Sequence, residues 1–208
     1  MQKETFQKKV VPMFSLSLFI AAIGVLAGFF IPPILFIPIV IAEFIILVAT
    51  FFMRRKGSVR SWLVFLFVLL TGITTAPIVA WAGFEGGMNV VFQALGLTVV
   101  VFGGLSAYVY FTNKDFRSWG TFLTFALIGL IIASFVNIFL QQTTLGIAID
   151  FLVIVIFLGF VMYDMSKILR DYSDKDISLA VLSLYLDFLN IFIRILQLLV
   201  LSKRRKDW

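Results

Sequence analysis

The sequence predicts an all-α integral membrane protein: a bundle of seven transmembrane helices that forms a single transmembrane domain over residues 1–208. Of the 208 residues, 62% are hydrophobic and only 13% are charged, and the mean hydropathy is +1.09. A soluble domain is about half apolar and about a quarter charged. The chain also contains seven apolar runs near the length of about 20 residues that a spanning helix needs. The connections between them are too short to form a soluble domain.

Each predicted helix follows from one apolar run and from the residues that interrupt it. Pro32-Pro33 separates the first two runs, because proline disfavours continuing a helix. The first run is too long for the apolar core of a signal peptide, so it is predicted to be a retained helix. The predicted helices lie at about 11–31, 34–53, 61–80, 89–111, 119–139, 147–167 and 178–201.

The distribution of lysine and arginine predicts the orientation. Basic residues occur before the first run and in alternate connections, at 54–60, 114–117 and 167–175. Because cytoplasmic loops carry the excess of lysine and arginine, we expect a multi-pass protein of the plasma (inner) membrane with a cytoplasmic N-terminus. The basic tail at 203–206 conflicts with this pattern. Either it lies outside after seven spans, which the 24-residue last run favours, or the last segment dips in and returns.

The composition excludes several kinds of site and partner. The chain has no histidine and no cysteine, which excludes Ser–His–Asp triads, histidine zinc sites and thiolate chemistry. Its net charge of +6 is explained by cytoplasmic loops, so no nucleic-acid partner is expected. The partner that the composition predicts is the lipid bilayer.

Two short motifs are weak. The Gly24-x-x-x-Gly28 spacing lets helices approach closely, but packing within one bundle explains it as well as dimerisation does. We therefore expect a monomer. The acidic loop 171–176 lacks the glycine and the glutamate of an EF-hand, which predicts a solvated turn that caps the last helix.

The last helix carries a polar stripe. Ser183, Asp187, Asn190, Arg194 and Gln197 recur at the spacing of one helix face, and the other faces are apolar. Because a charge at mid-bilayer costs about 2.5–3.5 kcal/mol on insertion scales, this face is predicted to turn toward the bundle interior. A polar seam that only holds helices together is the alternative.

The other intramembrane acids suggest an ion pathway with a gate. Glu43 lies midway along helix 2, and Asp150 and Asp164 lie near the two ends of helix 6. Asp164 and Asp187 are on consecutive helices, so they are expected to meet and to share a proton. Ca²⁺ could replace that proton, and Arg54 could pair with the ionised form. The residues thus predict a pH-sensitive gate on a cation path.

Several of these residues stand in motifs that resemble the Bax inhibitor family, the transmembrane Bax inhibitor motif proteins, and most of all its bacterial branch. The run SLYLDFLNIF at 183–192 is similar to the family signature. The resemblance extends to the Tyr-Asp pair at 163–164, to Glu43, to Met-Arg-Arg at 53–55 and to Thr-Gly-Ile at 71–73.

The resemblance implies a seven-helix bundle with a central last helix that acts as a pH-sensitive calcium leak channel. By motif match, Asp164 and Asp187 form the gate and bind the metal, Glu43 lies on the ion path, and Arg54 is the basic residue linked to the pair. Calcium is then transported or weakly bound, not structural. Ser183 and Asn190 complete the predicted pathway.

The chain departs from the family pattern at the outer end of this pathway. The basic residue of the last helix is expected where this chain has Gln197, and Arg194 stands on the same face one turn earlier. Asp150, placed on the pathway by its position, is outside the family pattern.

Three other functions remain as alternatives, one of which is a regulatory membrane protein whose ion leak is incidental. A proton-coupled transporter also uses paired acids. An intramembrane aspartyl protease would need glycines before its second aspartate, and Leu184-Tyr185-Leu186 occupies that place before Asp187. We therefore expect no enzymatic activity.

Overall fold

The computed structural model describes residues 3–54 and 59–204, and its regular structure is helical throughout that part of the chain. Short 3₁₀ turns precede α2, α5 and α7. The seven long helices are α1 Lys3–Gly28, α2 Phe36–Arg54, α3 Ser61–Gly86, α4 Met88–Thr112, α5 Gly120–Leu140, α6 Thr143–Arg170 and α7 Ile177–Arg204.

Seven helices of the described chain are long and apolar enough to cross a membrane, which confirms the predicted membrane fold. The last of them, α7, is one unbroken helix of 28 residues. At 1.5 Å per residue it is about 42 Å long, more than the hydrocarbon core of about 30 Å. A segment that dips in and returns would need a break, so the continuous helix favours the full span.

Two helices extend well past the apolar runs that predict them. α1 begins at Lys3 and includes a π-helical turn at Phe6–Val10, just before Pro12. α3 continues to Gly86, six residues beyond its predicted end. It ends there because Gly87 has a φ of 77°, a left-handed conformation that glycine adopts without a steric penalty. Hydropathy marks the part of a helix that lipid contacts, and the backbone can stay helical beyond it.

The chain divides into two compact units. The first comprises Met1–Trp81 and Ile168–Tyr185, and the second comprises Ala82–Lys167 and Leu186–Trp208. This division does not test the predicted single transmembrane domain over residues 1–208, which remains a prediction.

In the first unit, α1 and α3 cross at glycines. A Cβ atom added to Gly24 would lie 3.0 Å from the Cα of Gly72 and 3.1 Å from the backbone nitrogen of Ile73. A Cβ on Gly28 would lie 2.6 Å from the carbonyl oxygen of Ile73. Such distances leave no room for a side chain, so the Gly24-x-x-x-Gly28 motif is used for packing within the chain.

In the second unit, α5 and the α4–α5 connection pack against the end of α6. A Cβ on Gly120 would lie 2.5 Å from the Tyr163 ring, so the ring lies directly on the start of α5. The Ser166 hydroxyl accepts a hydrogen bond from the backbone N–H of Phe116 (3.1 Å) and lies 3.2 Å from the carbonyl oxygen of Lys114, to which it donates. These contacts fix the turn of α6 that carries Asp164.

Candidate functional site

The polar face of α7 is buried or partly buried. In α3 and in α7, 50% of the residues in the most apolar stretch are buried. In the other five spans the corresponding share is 6–28%. Asp187 is 3% exposed, and the other four residues of the stripe are partly buried. The burial of Asp187 agrees with the prediction that the polar face turns inward, and for the other four residues this stays a prediction. The loop before α7 also behaves as predicted, because Ser173 and Asp176 form a capping box there.

The structure brings Asp164 and Asp187 together in the second unit. Their side chains are hydrogen-bonded to each other. Ionised carboxylates only accept hydrogen bonds, so this contact requires a proton on one of them. The second oxygen of Asp187, Oδ2, is buried and has no hydrogen-bond partner within the described residues. A full charge on Asp187 would therefore be poorly solvated, and a shared proton avoids that cost.

The neighbours of Asp164 hold its turn of α6 in place. Tyr163 packs on Gly120, and its hydroxyl accepts a hydrogen bond from Lys167 Nζ at 3.0 Å. Ser166 binds the α4–α5 connection. The contacts of Tyr163 and Ser166 thus join the turn of α6 that carries Asp164 to the start of α5 and to the α4–α5 connection. The predicted partnership of this acid pair with Arg54 cannot be placed, because the Arg54 side chain lies outside the described residues.

The acid pair offers two carboxyl groups to a metal ion. Residues 3–54 and 59–204 contain no cluster of three or more acidic side chains. Ca²⁺ prefers six to eight oxygen ligands, so Asp164 and Asp187 would supply a minority of them.

The first part of α6 and the second half of α7 are joined by an ion pair. Arg194 Nη1 lies 2.6 Å from Asp150 Oδ1 and also donates to Gln197 Oε1 at 2.9 Å. The side chains of Arg194 and Asp150 are 30% and 15% exposed. Sequence reasoning placed both residues on the pathway but did not pair them. Each neutralises the other, so the pair does not present a net charge to a passing cation.

In the first unit, Glu43 is partly buried and accepts a hydrogen bond of 2.7 Å from the Thr74 hydroxyl. A second polar contact on α3 was missed by sequence reasoning. The Tyr185 hydroxyl lies 2.6 Å from that of Thr71, and Tyr185 is 1% exposed. A tyrosine among the leucines of the 183–192 motif signals a buried polar group, but it does not identify the partner. Ser183 is partly buried on the same helix.

Comparison with known proteins agrees with the motif evidence. Residues 3–205 match the family model described as Inhibitor of apoptosis-promoting Bax1. A Helicobacter pylori J99 protein is 34% identical over 97% of this chain and 89% of its own length. A membrane protein of Vibrio cholerae is 39% identical over 72% of this chain and 68% of its own. The Golgi anti-apoptotic protein of vaccinia virus strain Lister is 32% identical over 73% of this chain and 62% of its own.

Proposed function

Because this chain belongs to the Bax inhibitor family, we propose that it is a calcium-permeable leak channel of the plasma membrane whose gate is the Asp164–Asp187 pair. One observation carries the proposal: the two carboxyl groups are hydrogen-bonded to each other, and one of them is buried inside a membrane-spanning bundle. That contact exists only while the pair holds a proton, so it ties the association of α6 and α7 to pH.

The proposed mechanism starts from the protonated pair. In that state the hydrogen bond holds α6 against α7, and the gate is closed. When the shared proton leaves, two negative charges about 4 Å apart repel each other by about 4 kcal/mol at an effective dielectric constant of 20. This is enough to change an open–closed equilibrium by roughly 1000-fold. Raising the pH therefore favours opening.

The same carboxylates would attract the permeating ion. Ca²⁺ binds carboxylate oxygens and could replace the lost proton between Asp164 and Asp187. With two carboxylates the binding would be weak, and conduction requires that an ion can leave. That Glu43, Ser183 and Asn190 line the path, and that Arg54 pairs with the ionised acids, remain predictions.

The test is calcium flux into dye-loaded liposomes that contain the purified protein, measured from pH 5 to pH 8. We expect the wild-type flux to rise with pH and the flux of the Asp164→Asn/Asp187→Asn variant to be independent of pH. Asp115→Asn is the matched control, because this exposed acid pairs with Arg117 on the α4–α5 connection. Its flux should follow the wild type. A double variant with unchanged flux and unchanged pH dependence would refute the gate.

A buried acid pair that carries a proton also suits a proton-coupled transporter. The same liposomes loaded with a pH dye distinguish the two functions. Proton movement through the wild type without calcium flux at any pH would place proton-coupled transport ahead of the channel.

A further inference from the structure

A cleft of about 500 Å³ opens in the second unit beside the outer ion pair. Its floor is buried and apolar: Leu130, Val153 and Phe157 are 8%, 5% and 9% exposed. Its rim on α5 is open, since Ile131 and Phe135 are 60% and 62% exposed. Because the rim lies on a membrane-spanning helix, the cleft faces the surface that lipid tails contact.

The shape of the cleft suits an acyl chain. Along α5 it extends from Leu127 to Ile138, eleven residues apart, which is about 16 Å at 1.5 Å per residue. Its length follows the helix axis, which is also the direction of lipid chains in a bilayer.

The polar residues of the cleft come from two helices. Arg194 and Asn190 of α7 line it together with Ser134 of α5. Both recorded hydrogen bonds of the Arg194 side chain use Nη1. A guanidinium also has N–H donors at Nε and Nη2, and these can bind a phosphate.

The partner of Arg194 belongs to a second, polar cleft. This smaller cleft, of about 240 Å³, is lined by Asp150 and by polar side chains at and beside the α5–α6 connection: Asn137, Gln141, Gln142 and Thr143. Asp150 lies seven residues, or about 10 Å, from the outer end of α6. The headgroup region of a bilayer is about 5–7 Å thick on each side, so with the start of α6 at the outer edge of that region Asp150 lies just below it.

The ion pair thus stands where an apolar cleft meets a polar one, with its cation in the first and its anion in the second. We propose that these clefts bind a zwitterionic phospholipid with a primary amine, that is, a phosphatidylethanolamine. Its acyl chain fills the apolar cleft, its phosphate binds Arg194, and its ammonium binds Asp150 and the amide oxygens. An ammonium donates hydrogen bonds to these oxygens, whereas the methylated amine of phosphatidylcholine cannot. This proposal assigns Arg194 and Asp150, which the sequence predicts on the ion pathway, to a lipid site instead, and its test does not depend on the channel function.

The test is lipid retention by the purified full-length protein in native mass spectrometry, after incubation with equal amounts of phosphatidylethanolamine, phosphatidylcholine and phosphatidylglycerol. We expect phosphatidylethanolamine to be retained roughly tenfold better than phosphatidylcholine, the factor that one charge-assisted hydrogen bond supplies. Asp150→Asn should reduce that preference, because a neutral amide oxygen accepts a weaker hydrogen bond from an ammonium than a carboxylate does, and Arg194→Gln should weaken retention of all three lipids.

Ser134→Leu, which fills the apolar cleft without touching the ion pair, should also weaken retention of all three. Its matched control is Thr121→Leu, an exposed position on the same helix that does not line the cleft. The proposal is overturned if the wild type retains phosphatidylcholine or phosphatidylglycerol as well as phosphatidylethanolamine. It is also overturned if Ser134→Leu retains lipid as the wild type does.

Discussion

The crossing of α1 and α3 can be tested by glycine-to-alanine substitution. We expect this substitution to lower the free energy of unfolding at the crossing and to raise it at an open site on another helix. In Gly24→Ala the new Cβ would lie 3.0 Å from Gly72 Cα and 3.1 Å from Ile73 N, and closer still to the carbonyl oxygen of Leu69. All three obstacles are backbone atoms of α3, which cannot rotate away as a side chain can. The two helices must therefore separate.

The magnitude follows from two opposing effects. Overpacking a well-packed site costs typically about 1–3 kcal/mol, and a rigid backbone obstacle favours the upper part of that range. Alanine is a better helix former than glycine by about 1 kcal/mol, which offsets part of the cost. We expect Gly24→Ala to lower the free energy of unfolding by about 1–2 kcal/mol. Gly96→Ala on α4, where a Cβ meets nothing within 4 Å, should instead raise it by up to about 1 kcal/mol.

The assay is reversible unfolding of the purified protein in mixed micelles by sodium dodecyl sulfate, followed by helical circular dichroism. Wild type, Gly24→Ala and Gly96→Ala are measured under the same conditions. Extrapolation errors that the three proteins share then cancel in the differences between their free energies of unfolding. If Gly24→Ala stabilised the protein as much as Gly96→Ala, the close approach of α1 and α3 would be wrong.

Three further variants test single contacts with the same titration. Tyr185→Phe should cost about 1 kcal/mol, because the buried hydroxyl bond to Thr71 is lost; an unchanged midpoint would contradict it. Ser173→Ala should cost about 1 kcal/mol through the lost cap of α7, and a loss below a few tenths would contradict that role. A double-mutant cycle of Asp150→Asn and Arg194→Gln should give a coupling of about 1–3 kcal/mol, between the values for exposed and buried pairs. Zero coupling would mean that the pair is not formed.

The fold was predictable because lipid imposes one strong rule, that a spanning segment is a long apolar helix. That rule gave seven helices but not their ends. The end of α3 at Gly86 depends on the positive φ of Gly87, and the start of α1 at Lys3 lies among charged residues outside the apolar run.

The acid pair was predictable because consecutive helices with a short connection are antiparallel neighbours. The same argument failed for the other end of α6 and α7. If Asp164 stands opposite Asp187, an antiparallel register places Asp150 near Leu201, and these two residues do line one cleft. Arg194 is seven residues before Leu201, about 10 Å lower. It reaches Asp150 through the length of its side chain, which a register argument does not include.

The partners of Glu43 and Tyr185 were not predictable for a different reason. Both bind threonines of α3, at Thr74 and Thr71. Threonine hydroxyls in helices commonly bond to the carbonyl one turn earlier, and Thr71 does so as well. The sequence therefore gives no sign of which threonine also bonds to another helix.

The basic tail conflicts with the charge pattern, and the structure supplies a physical reason for its position. Lys203 Nζ donates to the carbonyl oxygen of Gly86 at 2.7 Å, and Arg204 pairs with Glu85. Gly86 is the last residue of α3, where the helix dipole favours a positive charge. These contacts join the end of α7 to the α3–α4 turn. The orientation predicted from lysine and arginine places this turn outside the cytoplasm.

The absence of cysteine allows that orientation to be tested with single introduced thiols. Ser173 precedes α7, Ser202 is near its end, and Phe84 is near the end of α3; all three are exposed. With a membrane-impermeant maleimide on intact cells, Ser202→Cys and Phe84→Cys should be labelled and Ser173→Cys should not, because α7 is about 42 Å long and separates its two ends by a full bilayer. Labelling of Ser173→Cys alone would invert the orientation. Equal labelling of Ser173→Cys and Ser202→Cys would mean that α7 does not cross, and the tail would then obey the charge rule that it otherwise breaks.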